Sequence, residues 1–195
     1  MTSHDANSLP FPTGIPPGDF LRGVSCGHKG GGPASPIFLN AGDFYFGAAP
    51  LQLTTLLGSC VTVTFWQPRR QIGGMCHFLV PRRPGGAKRP ETALDGQYAE
   101  EAFLLFDRAV ADNGCGPEQF QAKLFGGGNM FPGRTSGIDV GAQNIAAARL
   151  LLRRRGIPLL AEHAGGAGHR KLIFDLATGE VQMHFVDITK ERDHG

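Results

Sequence analysis

At 195 residues, with 41% of them hydrophobic, the chain has the length for one domain with a sizeable core, and a net charge of +2 is far from the basic balance that nucleic-acid binding needs. Four cysteines (Cys26, Cys60, Cys76 and Cys115) lack Cys-x-x-Cys spacing, which speaks against a zinc ribbon or a thioredoxin-type pair. There is no apolar run near the roughly 20 residues of a membrane span and no signal-peptide core, so the chain reads as cytoplasmic, with reduced thiols.

Residues 1–35 carry Pro10, Pro12, Pro16, Pro17, Pro33 and the run Gly30-Gly31-Gly32 with few aliphatics. Such a segment buries too little surface to offset its ordering entropy, and a mobile extension is expected in which Cys26 and His28 are incidental. Strand-like patterns follow in Ile37-Phe38-Leu39 and Phe44-Tyr45-Phe46. The basic stretch Pro81–Pro90 reads as a solvated connection, with a rim that steers acidic helices as the alternative. A helix is expected from about Gly96 to Asn113, with Ala99, Ala102, Phe103, Phe106, Ala109 and Val110 on its apolar face and Asn113-Gly114 as its stop. The segment Phe125-Gly126-Gly127-Gly128-Asn129-Met130 lacks the Gly-Lys-Ser/Thr ending of a phosphate loop, so close backbone approach is the better reading. A second helix runs from about Val140 to Arg155, with Asp139 as N-cap and Arg153-Arg154-Arg155 as a solvated, dipole-matched end. A final hairpin joins Lys171–Phe174 to Val181–Val186 around Ala177-Thr178-Gly179-Glu180, with His184 on its polar face.

The chemistry-bearing pattern lies between the first strands and the first helix. Val61–Trp66 and Gln71–Val80 flank the turn signal Gln67-Pro68-Arg69-Arg70, and a hairpin closed by those four residues places Cys60 opposite His77 on one face. A thiol beside an imidazole is the core of a cysteine nucleophile, although a Cys and a His are also common structural residues. Gly58 permits a sharp turn before Cys60, and the N–H groups around Ser59 and Cys60 are placed to meet an oxyanion. Cys76 falls on the face opposite His77, where packing is its expected role; a metal site from Cys60, Cys76 and His77 is disfavoured because strand neighbours point apart.

Thr54–Val63, with Leu57-Gly58-Ser59-Cys60 at its centre, and Gly73-Gly74-Met75-Cys76-His77-Phe78-Leu79-Val80-Pro81 resemble the signature of the chemoreceptor glutamine deamidase family, CheD. The likeness continues through Ala122–Met130, Ile138–Ile145, Gly156-Ile157-Pro158, Gly165-Gly166, Gly168–Lys171 and Thr178–Val181, so that it covers roughly residues 37–187. Two departures stand out: Cys76 where a small polar residue is common, and Gln143 where an arginine is expected before Asn144.

The resemblance implies an α+β fold, a layered β-sandwich-like core with flanking helices, occupying residues 36–190. It implies hydrolysis of glutamine side-chain amides on the cytoplasmic helices of methyl-accepting chemotaxis receptors, without a cofactor, and a related methylesterase activity. Carried over by position, Cys60 is the nucleophile, His77 the general base and Thr54 the residue orienting the imidazole, with neighbouring Thr55 as the rival; Gly58 and Ser59 form the oxyanion loop. The other role it implies is that of a non-catalytic adaptor binding a CheC-type phosphatase.

Overall fold

The computed structural model describes residues 35–85, 93–130 and 139–189; the expected N-terminal extension and the end of the basic stretch lie outside them. Among the described residues, nine strands form two mixed sheets. The first sheet is ordered β1 (Ile37–Phe38), β3 (Gln52–Leu57), β8 (Gly168–Asp175) and β9 (Val181–Asp187). The second is ordered β2 (Phe44–Ala48), β5 (Ile72–Phe78), β4 (Val61–Gln67), β6 (Gln121–Gly126) and β7 (Leu159–Ala164). Two helices, α1 (Ala99–Asp112) and α2 (Val140–Arg154), complete the α+β fold.

Strand alternation builds the layers. In β4, Val61, Val63 and Phe65 face the helices, and in β5, Ile72, Cys76 and Phe78 do the same. The apolar face of α1 is the one its 3.6-residue period specifies, and Phe106 stacks on Phe65 with ring centroids 3.9 Å apart while Phe103 meets Phe65 edge-on at 5.4 Å. The opposite side of the same sheet supplies Tyr45 and Met75, which pack against Leu53 and Phe174 of the first sheet. The result is a sheet–sheet–helix sandwich.

Both helix ends follow from their sequences. Asp139 accepts a hydrogen bond from the Ala142 N–H at 2.9 Å, and α1 stops at Asn113 before Gly114, whose φ of 63° is left-handed. The arginine run is less uniform than expected. Arg153 and Arg154 are exposed, but Arg155 makes a two-pronged bond to Asp107 of α1 at 2.7 and 2.6 Å and lies 5.0 Å over the Phe103 ring. This exposed-edge pair contributes modestly, and Arg155→Ala is expected to lower stability by about 1 kcal/mol in urea unfolding while leaving Cys60 reactivity unchanged. A wild-type unfolding midpoint would show the pair to be energetically neutral. Within the basic stretch, Arg83 is engaged by Glu101 at 2.8 and 2.9 Å and covers the Tyr98 ring at 4.2 Å, so it ties the loop to α1.

Candidate active site

The β4–β5 hairpin exists, but its register differs from the expectation by two residues. Gln67 pairs with Ile72, so the turn comprises Pro68, Arg69, Arg70 and Gln71, and Gln71 closes it with a φ of 51° while the Gln67 side chain accepts from the Arg70 N–H at 2.7 Å. Thr62, not Cys60, is therefore directly opposite His77. A two-residue shift preserves the face, because side chains alternate with period two. Cys60 sits one residue before β4, diagonal to His77, a placement that typically leaves Cα atoms about 7–8 Å apart and side chains nearer.

His77 is 4% exposed and points between the sheets, toward β3. The Thr55 hydroxyl lies 2.9 Å from His77 Nδ1 and donates its single proton to the Leu39 carbonyl at 2.7 Å. Thr55 Oγ can then only accept from the ring, so Nδ1 carries the proton and Nε2 presents a lone pair. Thr54, the residue expected beside the imidazole, does not contact it in this structure. Leu53, Thr55 and Leu57 alternate inward, whereas Thr54 faces the other way and donates to the Leu172 carbonyl at 2.6 Å. The alternation of leucines around Thr55 is the sequence signal for its place on the side of β3 that faces His77.

Burial holds the His77 pKa below its ordinary value of 6.5, against smaller opposing effects of the Leu39 carbonyl and Asp43. Burial also raises the half-buried Cys60 thiol above 9.0, partly offset by its own backbone N–H. Both shifts favour the uncharged forms, a thiol and a neutral imidazole. Cys76 lies fully buried among the helix-facing residues, its thiol pushed up to about 12 by desolvation, which suits packing rather than reactivity.

The loop carrying Cys60 is held through its carbonyls. Gly128 N–H donates to Gly58 O at 2.8 Å, Gly127 N–H donates to Cys60 O at 2.7 Å, and Asn144 Nδ2 of α2 reaches Ser59 O at 3.4 Å. The close backbone approach expected of the glycine segment is met here. A Cβ at Gly126 would lie 2.2 Å from Cys60 O, and one at Gly128 would lie 2.3 Å from Gly168 O. In a planar trans peptide the N–H points opposite to the C=O. With the Gly58 and Ser59 carbonyls drawn toward the glycine segment and α2, the Ser59 and Cys60 N–H groups are turned to the other side.

Among the described residues, the buried side-chain polar atoms without a hydrogen-bond partner are His77 Nε2, Asn144 Oδ1 and Arg170 Nη1. Two of them, Asn144 and Arg170, border the Cys60 loop. Asn144 bonds Ser59, and Arg170 pairs with Leu57 across β3–β8, its Nη1 3.3 Å from the Cβ position of Gly128. Unsatisfied buried groups are rare and gather where chemistry occurs. Arg170 donates to His163 Nδ1 at 2.8 Å, seven residues away, whereas the partners of Asn144 lie 85 and 65 residues away along the chain, beyond any local pattern. Gln143 is exposed, so its departure changes the surface. Among the described residues no three His, Cys, Asp or Glu side chains gather as a metal site, and no helix is long and apolar enough to cross a membrane.

Residues 79–185 match the family model "CheD chemotactic sensory transduction". The chain is 48% identical over 150 residues to the "Probable chemoreceptor glutamine deamidase CheD 3" of Dechloromonas aromatica, covering 76% of this chain and 86% of the relative. It is 44% identical over 152 residues to the "Probable chemoreceptor glutamine deamidase CheD 2" of Albidiferax ferrireducens, covering 77% of this chain and 87% of the relative. For a relative in Pseudomonas savastanoi pv. phaseolicola the identity is 45%, with coverage of 74% and 81%.

Proposed function

This chain belongs to the CheD family, and from that membership and the geometry around Cys60 we propose that it is a protein-glutamine deamidase acting on chemoreceptor glutamines, with Cys60 as nucleophile, His77 as general base and Thr55 orienting the imidazole. The observation that carries the reading is His77 itself. Its proton is confined to Nδ1 by the Thr55–Leu39 relay, which leaves an unpartnered Nε2 lone pair on the face shared with Cys60.

In this mechanism His77 Nε2 takes the Cys60 proton as Sγ attacks the glutamine Cδ. The Ser59 and Cys60 N–H groups receive the oxyanion, and the imidazolium gives its proton to the amide nitrogen as the C–N bond breaks and ammonia leaves. His77 then takes a proton from water, whose hydroxide attacks the thioester; glutamate is released and the proton returns to Sγ. Incubation of a chemoreceptor cytoplasmic fragment with the protein should replace amide by acid at defined glutamines, detected by peptide mass spectrometry and absent with Cys60→Ala. An unchanged fragment with folded protein would refute the assignment. For the alternative partner role, CheC-type phosphatase binding that survives Cys60→Ala would show that binding and catalysis can be separated.

The charge states set the pH dependence. A base whose folded pKa is depressed remains neutral at lower pH, so kcat/KM should rise with pH through an inflection below 6.5. Alkylation of Cys60 should keep rising above neutrality, because the thiol is raised above 9.0. A flat alkylation plateau across neutral pH would indicate a preformed thiolate–imidazolium pair and overturn the general-base description.

A further inference from the structure

We infer that Asn144 is a positioning residue that aims the Cys60 N–H at the oxyanion by holding the Ser59 carbonyl from helix α2. Asn144 is fully buried, and its Nδ2 has only carbonyls as partners, Leu79 O at 2.7 Å and Ser59 O at 3.4 Å. Acceptor-only partners require the nitrogen at that position, whatever the ambiguity of amide orientation. The two carbonyls belong to the two halves of the site. Ser59 precedes the nucleophile, and Leu79 lies two residues beyond His77 on the continuation of its strand. One NH2 group thus ties the nucleophile loop to the base strand.

The Ser59 bond has a particular consequence. The Ser59 C=O and the Cys60 N–H belong to one rigid peptide plane, so fixing the carbonyl direction fixes the N–H in the opposite direction. Gly128 acts on the preceding plane in the same way through Gly58 O, and its donor is a backbone amide that no side-chain change removes. Asn144 is the side-chain determinant of this orientation. Its seat is prepared by Gly141, one turn earlier, where a Cβ would lie 2.5 Å from Gly127 O, so α2 enters against the glycine segment.

The inference builds on the proposed nucleophile but not on the identity of the substrate, and two small probes separate it from both. Acylation of Cys60 by p-nitrophenyl acetate passes through a tetrahedral oxyanion; Sγ bonds to the carbonyl carbon, and p-nitrophenolate leaves. Alkylation by iodoacetamide displaces iodide at carbon without an oxyanion. Both rates, read on the Cys60 peptide with Cys60→Ala as background, give a ratio that isolates oxyanion stabilisation. Asn144→Ala should lower the acylation-to-alkylation ratio about 10- to 100-fold, in line with a misaimed oxyanion donor. Asn144→Asp keeps the volume but offers no N–H, and should lower it similarly. Leu152→Ala, in the buried face of the same helix and away from the loop, should lose stability with the ratio intact. An unchanged ratio in folded Asn144 variants, or acylation and alkylation falling in parallel, would overturn the inference in favour of a purely structural role. A wild type that is acylated at Cys60 but deamidates no receptor would refute the substrate assignment and leave the Asn144 result standing.

Discussion

Cys60→Ala should abolish turnover, lowering kcat by about 10,000-fold or more, as removal of a nucleophile does in acyl-transfer sites. The fold should survive, since Cys60 is half-buried and only its sulfur is lost from the edge of the Leu57, Phe125 and Leu172 cluster. His77 needs a more careful variant. Alanine there would empty a buried volume and remove the ring N–H that the Thr55 oxygen accepts, mixing stability with chemistry. His77→Asn keeps an amide nitrogen able to donate to Thr55 but supplies no basic nitrogen, so its loss of turnover reports the base alone. Intact-protein unfolding and receptor-fragment mass spectrometry on the same samples check both expectations. Substantial deamidation by folded Cys60→Ala or His77→Asn would remove that residue from the mechanism.

The parts of this molecule that were legible from sequence are those whose determinants are local. The buried face of α1, from Ala99 to Val110, is written in its own periodicity, and the Asp139 cap and Asn113-Gly114 stop lie beside the helices they bound. The hairpin register was not local in this sense. It turned on which residue adopts the left-handed conformation, and Gln71 does so, although glycine is the usual occupant. Parity preserves the geometric expectation alone, because a slip of two residues keeps Cys60 and His77 on one face. The threonine beside His77 is legible in a different way: family spacing points to Thr54, but the inward alternation of Leu53, Thr55 and Leu57 points to Thr55, and the strand follows the alternation. The Asn144 contacts span 85 and 65 residues of chain, beyond the reach of any period or motif. The site is thus assembled from a local hairpin and a distant helix, and only the hairpin announces itself.

That reassignment predicts a sharp contrast between neighbouring threonines. Thr55→Val is nearly isosteric, removes the hydroxyl, and leaves the His77 Nδ1–H and the Leu39 carbonyl to find new partners in a buried setting. The ring loses the contact that selects its tautomer, and kcat should fall by about 100-fold with KM little changed. The loss should be smaller than for His77→Asn, because the basic ring itself is retained. Stability should fall by about 1–3 kcal/mol for the unsatisfied buried groups. Thr54→Val removes a hydroxyl that bonds only Leu172 O on the far face of β3, and both turnover and the pH inflection should match the wild type. Steady-state kinetics and pH–rate profiles of the two variants decide the matter. If Thr54→Val were impaired and Thr55→Val active, the imidazole would be oriented from the position six residues before Cys60, and β3 would have to present its opposite face to His77 in the working enzyme.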